Sequence, residues 1–583
     1  MPQLCSKSKS KQKIRIAFLC TVVVLAAVHL YAVHLYAAAT DEQGPKRPNL
    51  IVVISVDMLS QDIMDRYGHD LPGGLGRLQR EGVVFGDTFH EHAFTETGPG
   101  HSVLLSGRHP ASTGITENLW IDAKTEKRVY CVEDPAVTNM GEPSGKVGSS
   151  ARWFKGTTFG TWLRDQVPGS RVFAISGKDR AAILMAGPKA DGVYWFQDGF
   201  GFTTSTAYAP KLPEWMTRFN ENLLTEIRTK TINWTPMGPM DGMVYPGRWL
   251  IGNTTVVSAL PRLIQVPGMD MPVKAGFLLH ETMEGSFWLR WRGSPFFDDA
   301  TFDAAETLIK AEHLGDSHHT DLLAIGLSAT NVIEHAYGNQ GPEIFDQIRR
   351  IDRRLGVFLD RVCAGGVSVA VVFTADHGGL DFPERLQDQG IPAKRLDTVS
   401  WLAELQSRVR KEFHLDQDLI FHGYDNYHPQ QVYFNLDVAK QLGDRKAWVP
   451  KVAEIIRSMP EVADAAPIEE LEALPTQKFA DPREESIRYR LKFSAVPGRS
   501  GDVLFAFKSL VSLSGPPNGD PAQHGTPYDY DRRVPLIFWG PWKAERQTHP
   551  VSTVDIAPTL ANEFGIKPSE PLDGSVLRLQ RAD

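Results

Sequence analysis

Leu50-Ile51-Val52-Val53-Ile54-Ser55-Val56-Asp57 decides the architecture. A strand with one wet face alternates apolar and polar side chains. This run does not, so both of its faces need cover, as they have inside a parallel sheet. Three more apolar runs share that character: residues 172–175 before Ser176-Gly177-Lys178, 322–327 before Ser328, and 369–373 before Thr374-Ala375-Asp376-His377. Helical periodicity lies between them; across 345–362, Ile348, Ile351, Leu355 and Phe358 recur at spacings of three and four. The pattern predicts an α/β fold with a mostly parallel central sheet flanked by helices. In such sheets ligands sit beyond the carboxyl ends of the strands, so chemistry is expected in the residues that follow each run.

Two stretches break the alternation. Residues near 195–315, dense in Trp, Pro, Gly and Met, read as a loop-rich insertion. Residues near 385–520 read as a small α+β subdomain, with strands over 431–436 and 502–507 and a helix over 449–459. The expected organisation is a leader over 1–39 and one catalytic domain over 45–583 that carries both insertions.

The leader is a different kind of sequence. Lys7, Lys9, Lys11, Lys13 and Arg15 precede an apolar run over 17–36, and Ala37-Ala38-Ala39 offers small residues for cleavage. These features predict export to the periplasm or the extracellular space. The apolar run also approaches the length that spans a bilayer, so an uncleaved membrane anchor is the alternative. Without the leader, 57 Lys and Arg stand against 70 Asp and Glu, a net of about −13 that argues against a nucleic-acid backbone as partner. A composition 42% hydrophobic and 23% charged is that of a globular protein and excludes a disordered or fibrous chain. Cys5 and Cys20 fall in the leader; Cys131 and Cys363 fit no zinc ribbon, and one disulfide between them suits an oxidising compartment.

Beyond the strand ends lie residues suited to metal and phosphate chemistry. Asp57 closes the first run. Thr95-Glu96-Thr97-Gly98-Pro99-Gly100-His101-Ser102 opens a helix: Pro99 suits the first turn, which puts Thr97 or Gly98 at the N-cap and the Thr97 hydroxyl at the positive end of the helix dipole. Thr95 is the competing nucleophile. Asp376-His377 precede Gly378-Gly379, a pair that permits a tight turn and lets both side chains face one metal. Asn331 and His335, four apart, share a helical face, and His524 precedes a further apolar segment. Taken singly, each has an ordinary reading as a cap or a packed polar residue.

In this order the set resembles the alkaline phosphatase superfamily, and most closely its nucleotide pyrophosphatase/phosphodiesterase-like branch with a Thr nucleophile. Val554-Asp555-Ile556-Ala557-Pro558-Thr559-Leu560, followed by Leu572-Asp573-Gly574-Ser575, adds to the likeness. The resemblance implies two Zn2+, one held by Asp57, Asp376, His377 and the Thr97 oxygen, the other by His335, His524 and the residue at 331. Two such ions about 4 Å apart bridge a phosphate, activating the nucleophile and neutralising the leaving oxygen. Asn118 matches an Asn that donates to a phosphoryl oxygen. Lys178 and Arg180 match a pair found in the monoesterase members, which suits the extra negative oxygen of a monoester. The implied activity is hydrolysis of small-molecule phosphate monoesters through a phosphothreonine intermediate. The runner-up is a phosphodiesterase or nucleotide pyrophosphatase.

One position departs from the pattern. Where the branch has Asp-x-x-x-His, this chain reads Asn331-Val332-Ile333-Glu334-His335. An amide oxygen brings no charge and is a poorer zinc ligand than a carboxylate. Three outcomes stay open: Asn331 ligates, Glu334 substitutes, or the second site is weakened, which would leave a phosphate-ester binder of low activity.

Overall fold

The structure, a computed structural model, describes residues 47–582 apart from 123, 142–145, 241–243, 268–286, 317, 422–429 and 514–519. The leader over 1–39 lies outside the described residues. Among the described residues no helix is long and apolar enough to cross a membrane. The elements below belong to one compact unit, Pro48–Asn562 with Ile566–Asp583. In the other unit, Arg47 Nε donates to Phe564 O at 2.6 Å.

Among the described residues, ten strands make the central sheet. In chain order they are β1 (Leu50–Val56), β2 (Val83–Phe89), β3 (Val172–Ser176), β4 (Gly192–Gln197), β5 (Gly201–Thr203), β6 (Asp321–Leu327), β7 (Val369–Thr374), β8 (Arg533–Trp539), β9 (Glu545–Gln547) and β10 (Val551–Ser552). Their spatial order is β9-β2-β8-β7-β1-β6-β3-β4-β5, with β10 also pairing to β2. The four apolar runs are neighbours: β1 pairs in parallel with β6 and β7, and β6 with β3. Every residue of β1, β3, β6 and β7 is buried, which is why none of them alternates.

Register brings distant residues to one edge. Ser55 pairs with Thr374 and Val56 with Leu327, so Asp57 emerges beside Asp376 on one side and Ser328 on the other. Gly326 pairs with Ser176, which delivers Lys178 to the same edge. Strand β8 runs antiparallel to β7, with Ile537 opposite Phe373, so the chain entering β8 arrives at the carboxyl end of β7. There Leu380 N donates to Gln523 O at 3.0 Å and Gly378 N to Asp531 O at 2.7 Å. His524 therefore joins the edge from the opposite chain direction.

Five helices position the site: α1 (Thr97–Leu104), α2 (Asp179–Ala186), α3 (Pro295–Glu312), α4 (Ala329–Tyr337) and α5 (Pro342–Val362). The start of α4 is fixed from α3, where Asp298 Oδ1 accepts from Ser328 N and Ala329 N at 3.0 Å each. Gly338, at φ 72°, ends it. The periodic positions Ile348, Ile351, Leu355 and Phe358 are buried on α5.

Residues 195–315 differ from a loop-rich reading. They hold the end of β4, β5, the helix Glu214–Thr229, paired short strands and α3, whose Phe297, Phe302, Ala305 and Leu308 enter the main core. Within 385–520, strands Gln431–Val432, Val503–Phe507 and Val462–Pro467 form a three-stranded antiparallel sheet. Helices Thr398–Phe413 and Arg445–Arg457 cover it, around a core that includes Trp401, Leu405, Val452, Ile456 and Phe505. The expected strand over 431–436 is thus shorter. Val462–Pro467 went unforeseen because Ala, Asp and Pro are poor strand formers.

Cys131 and Cys363 are both free thiols, which corrects the disulfide reading. Cys131 is buried against Gly98 at the start of α1, whereas Cys363 caps the end of α5.

Candidate active site

Asp57, Asp376 and His377 present one ligand atom each within 4.8 Å of one another, all buried. Met58 N and His377 N donate to Asp376 Oδ1 at 3.1 and 3.0 Å, which aims Oδ2 into the cluster. Met58 takes φ 69°, an uncommon conformation for a residue with a side chain, just where the chain leaves β1. Burial opposes ionisation of Asp376, but His377 and His101 outweigh it and hold this carboxyl well below the usual carboxylate range.

Three imidazoles are set in one tautomer. Nδ1 of His377 donates to Gly378 O at 2.8 Å, Nδ1 of His335 to Ala522 O at 2.8 Å, and Nδ1 of His524 to Thr95 O at 2.7 Å. A carbonyl only accepts, so each ring carries a proton on Nδ1, which leaves Nε2 as the atom that can face a metal. The His377 and His524 rings stack at 3.9 Å, and His335 lies 5.1 Å from His524. Burial lowers the His335 pKa and keeps that ring neutral.

Thr97 joins this cluster through shared cations. Lys178 Nζ lies 2.6 Å from Asp57 Oδ2 and donates to Asn331 Oδ1 at 2.8 Å and to Thr97 Oγ1 at 3.3 Å. Arg180 Nη2 donates to the same hydroxyl at 3.4 Å. One ammonium thus touches the proposed nucleophile and a candidate ligand from each metal position. The rival Thr95 is committed elsewhere, its hydroxyl donating to Thr526 O at 2.9 Å.

The start of α1 needs a correction. Glu96, not Thr97 or Gly98, is the N-cap, and Thr97 is the first helical residue. Gly98 N donates to Asn118 Oδ1 at 2.7 Å, so this amide is already engaged. The positive environment at Thr97 therefore comes mainly from Lys178 and Arg180 rather than from open helix amides. With Oδ1 occupied, the Asn118 amide has its NH2 group left to donate.

Sequence reasoning missed three supporting residues. His101 Nδ1 lies 2.9 Å from Thr97 O and 3.0 Å from Asp376 Oδ2, joining the Thr97 turn to the Asp376 carboxylate. Its position four residues after Thr97 was the available signal. Tyr130 OH donates to Asp179 Oδ1 at 2.5 Å and accepts from Arg180 Nη1 at 3.2 Å, orienting the guanidinium. Glu96 Oε2 accepts from Asn118 N at 2.6 Å. Nothing in the residue spacing announces either of these last two contacts.

The donor set suits divalent cations. The Asp57 oxygens, Asp376 Oδ2 and His377 Nε2 are buried atoms in ion-pair contact yet without a well-aligned hydrogen bond. Such atoms are costly to bury unless a cation gathers them. Imidazole nitrogens with carboxylate oxygens match zinc. Asn331, His335 and His524 form the less charged half, with Glu334 beside them. Glu334 is 1% exposed, and burial, reinforced by Asp381, Asp531, Asp57 and Asp376, pushes its carboxyl well up.

Residues 51–527 match the family described as type I phosphodiesterase / nucleotide pyrophosphatase. Alkaline phosphatase PhoD of Zymomonas mobilis subsp. mobilis is 34% identical over 520 residues, covering 88% of this chain and 84% of that protein. Alkaline phosphatase PhoK of a Sphingomonas species is 33% identical over 545 residues, 91% of each chain. The crystal structure of alkaline phosphatase PafA matches with a TM-score of 0.74 at 25% identity, over 89% of this chain and 96% of that one. The chain belongs to the type I phosphodiesterase / nucleotide pyrophosphatase family, phosphoester hydrolases of the alkaline phosphatase superfamily.

Proposed function

We propose that this protein is an exported phosphoric monoester hydrolase of the alkaline phosphatase type, with Thr97 as nucleophile. The observation that carries the reading is the convergence of Lys178 and Arg180 on Thr97 Oγ1 while Lys178 also binds Asp57 and Asn331. Asp57, Asp376 and His377 with Thr97 would hold one zinc, and Asn331, His335 and His524 the other. Bound there, the two ions would supply Lewis acidity at the Thr97 hydroxyl and at the leaving oxygen.

The remaining chemistry falls to the chain's own groups. Two cations beside Oγ1 favour its alkoxide, which attacks phosphorus in line. The Oγ1–P bond forms as the bond to the ester oxygen breaks, and the alcohol leaves with a proton from water. The proton that Oγ1 gave up passes through water to that alcohol; a second water then attacks phosphorus, the Oγ1–P bond breaks, one of that water's protons returns to Oγ1, and hydrogen phosphate departs. Throughout, Lys178, Arg180 and the NH2 of Asn118 face the equatorial oxygens, where positioning and charge stabilisation do most of the work.

Two cations directed at one phosphoryl group favour a monoester dianion over a diester. Zinc-loaded protein is therefore expected to hydrolyse p-nitrophenyl phosphate much faster than bis-p-nitrophenyl phosphate. The reverse preference would assign it to the phosphodiesterases, and no turnover of either, with zinc bound, would make it a phosphate-ester binder.

A further inference from the structure

We infer that Glu334 supplies the negative charge to the second metal position that Asn331 does not bring, an inference that rests on the two-metal reading above. Glu334 stands on α4 three residues after Asn331 and next to His335, on a face the three residues share. It is 1% exposed, and among the described residues neither carboxylate oxygen has a hydrogen-bond partner. Three of the other buried carboxylates around it each have a polar partner. Asp381 pairs with Arg385 at 3.1 Å, Asp57 with Lys178 at 2.6 Å, and Asp531 Oδ2 accepts from Thr526 N and Oγ1 at 2.8 and 2.7 Å. A carboxylate buried with neither hydrogen bond nor cation is strongly unfavourable. Burial pushes this carboxyl well up, so it takes a charge only where a cation stands beside it, and among the described residues no side chain supplies one.

The neighbours of Glu334 link it to the turn that follows β7. A Cβ on Gly379 would lie 3.3 Å from Glu334 Oε2, so the carboxylate borders the turn that carries His377. That turn is tied to the neighbour of His524 through Leu380 N and Gln523 O. The same Cβ would fall 2.2 Å from Met58 Cε, and Met58 Sδ is 3.3 Å from Asn331 Nδ2. Met58 thus lies against both Asn331 and the Glu334 side of the turn, and its flexible thioether can yield to a shift of either one. Asn331 Oδ1, by contrast, is already engaged by the Lys178 ammonium. The one-residue change at 331 and the unpartnered acid at 334 are therefore two halves of one substitution.

Zinc titration of the apo full-length protein, read by calorimetry and by metal content after desalting, tests this without reference to turnover. Wild type is expected to bind two zincs per chain. Glu334→Gln should keep the first and bind the second on the order of 100-fold more weakly, and Asn331→Asp combined with Glu334→Gln should regain it. Should Glu334→Gln not fold, Glu334→Asp, one methylene shorter, carries the same expectation of a weakened second site beside an intact first. Two zincs bound to Glu334→Gln or Glu334→Asp with wild-type affinity would overturn the role of Glu334 and leave the two-metal reading standing. Fewer than two zincs on wild type would overturn both.

Discussion

Gly100→Ala tests how closely α1, which carries Thr97, is seated on the strand end that carries Asp376. A Cβ built on Gly100 lies 2.1 Å from Asp376 O and 2.8 Å from Asp376 C, where ordinary contact begins near 3.4 Å. The obstacle is backbone at the end of β7, so no side chain can swing aside. To accept the methyl group, α1 must retreat by about 1 Å, and Thr97 retreats with it. Misplacement of that size costs reacting groups about 100-fold in rate, and overpacking costs about 1–3 kcal/mol in stability. Steady-state hydrolysis of p-nitrophenyl phosphate and thermal melting read the two effects. Gly86→Ala is the control, because a Cβ there meets nothing within 4 Å. Wild-type turnover and melting in Gly100→Ala would show that α1 is not held against Asp376 as described.

Three other expectations follow from particular contacts. Lys178→Ala and Arg180→Ala should each lower kcat/KM for a monoester by about 100- to 1,000-fold and change diester hydrolysis far less; equal losses on both substrates would contradict their assignment to the extra oxygen. His109 Nε2 lies 2.5 Å from Glu91 Oε2; burial opposes its charge, but Glu91 outweighs burial and raises its pKa. A raised histidine stabilises the fold fully below its unfolded value of about 6.5 and loses that contribution as pH rises through the folded value. The melting-temperature gap between wild type and His109→Gln should therefore be widest near pH 6 and close in alkali; a gap that widens toward pH 9 would contradict the pair. Because Cys131 and Cys363 are free and burial raises both thiols, reductant should leave the melting temperature unchanged, and a drop on reduction would restore the disulfide.

The parts of the fold that could be read from sequence were those ruled by short-range physics. Uninterrupted apolar runs announced β1, β3, β6 and β7, and parallel register then carries Asp57, Lys178 and Asp376 to one edge without further information. His524 is different. It reaches that edge because β8 runs antiparallel, a pairing between segments more than 150 residues apart that local pattern does not encode. It was found through resemblance. Helices Glu214–Thr229 and Pro295–Glu312 were hidden by the Trp, Pro and Gly of the stretch around them, since neither contains a Gly and Pro295, in a first turn, is the one Pro between them. Around Thr97 the N-cap was misplaced by one or two residues, within the ordinary fraying of helix ends. Glu96, His101 and Tyr130 escaped notice because their partners are backbone groups or residues brought close only by folding.

Acid quenching of zinc-loaded protein during turnover of a 32P-labelled phosphate monoester, followed by peptide mapping, tests the central claim most directly. The account predicts a single phosphoryl group on the peptide that contains Thr97, absent in Thr97→Ala. Turnover with no covalent phosphate, or label on Thr95 or on any other residue, would contradict it.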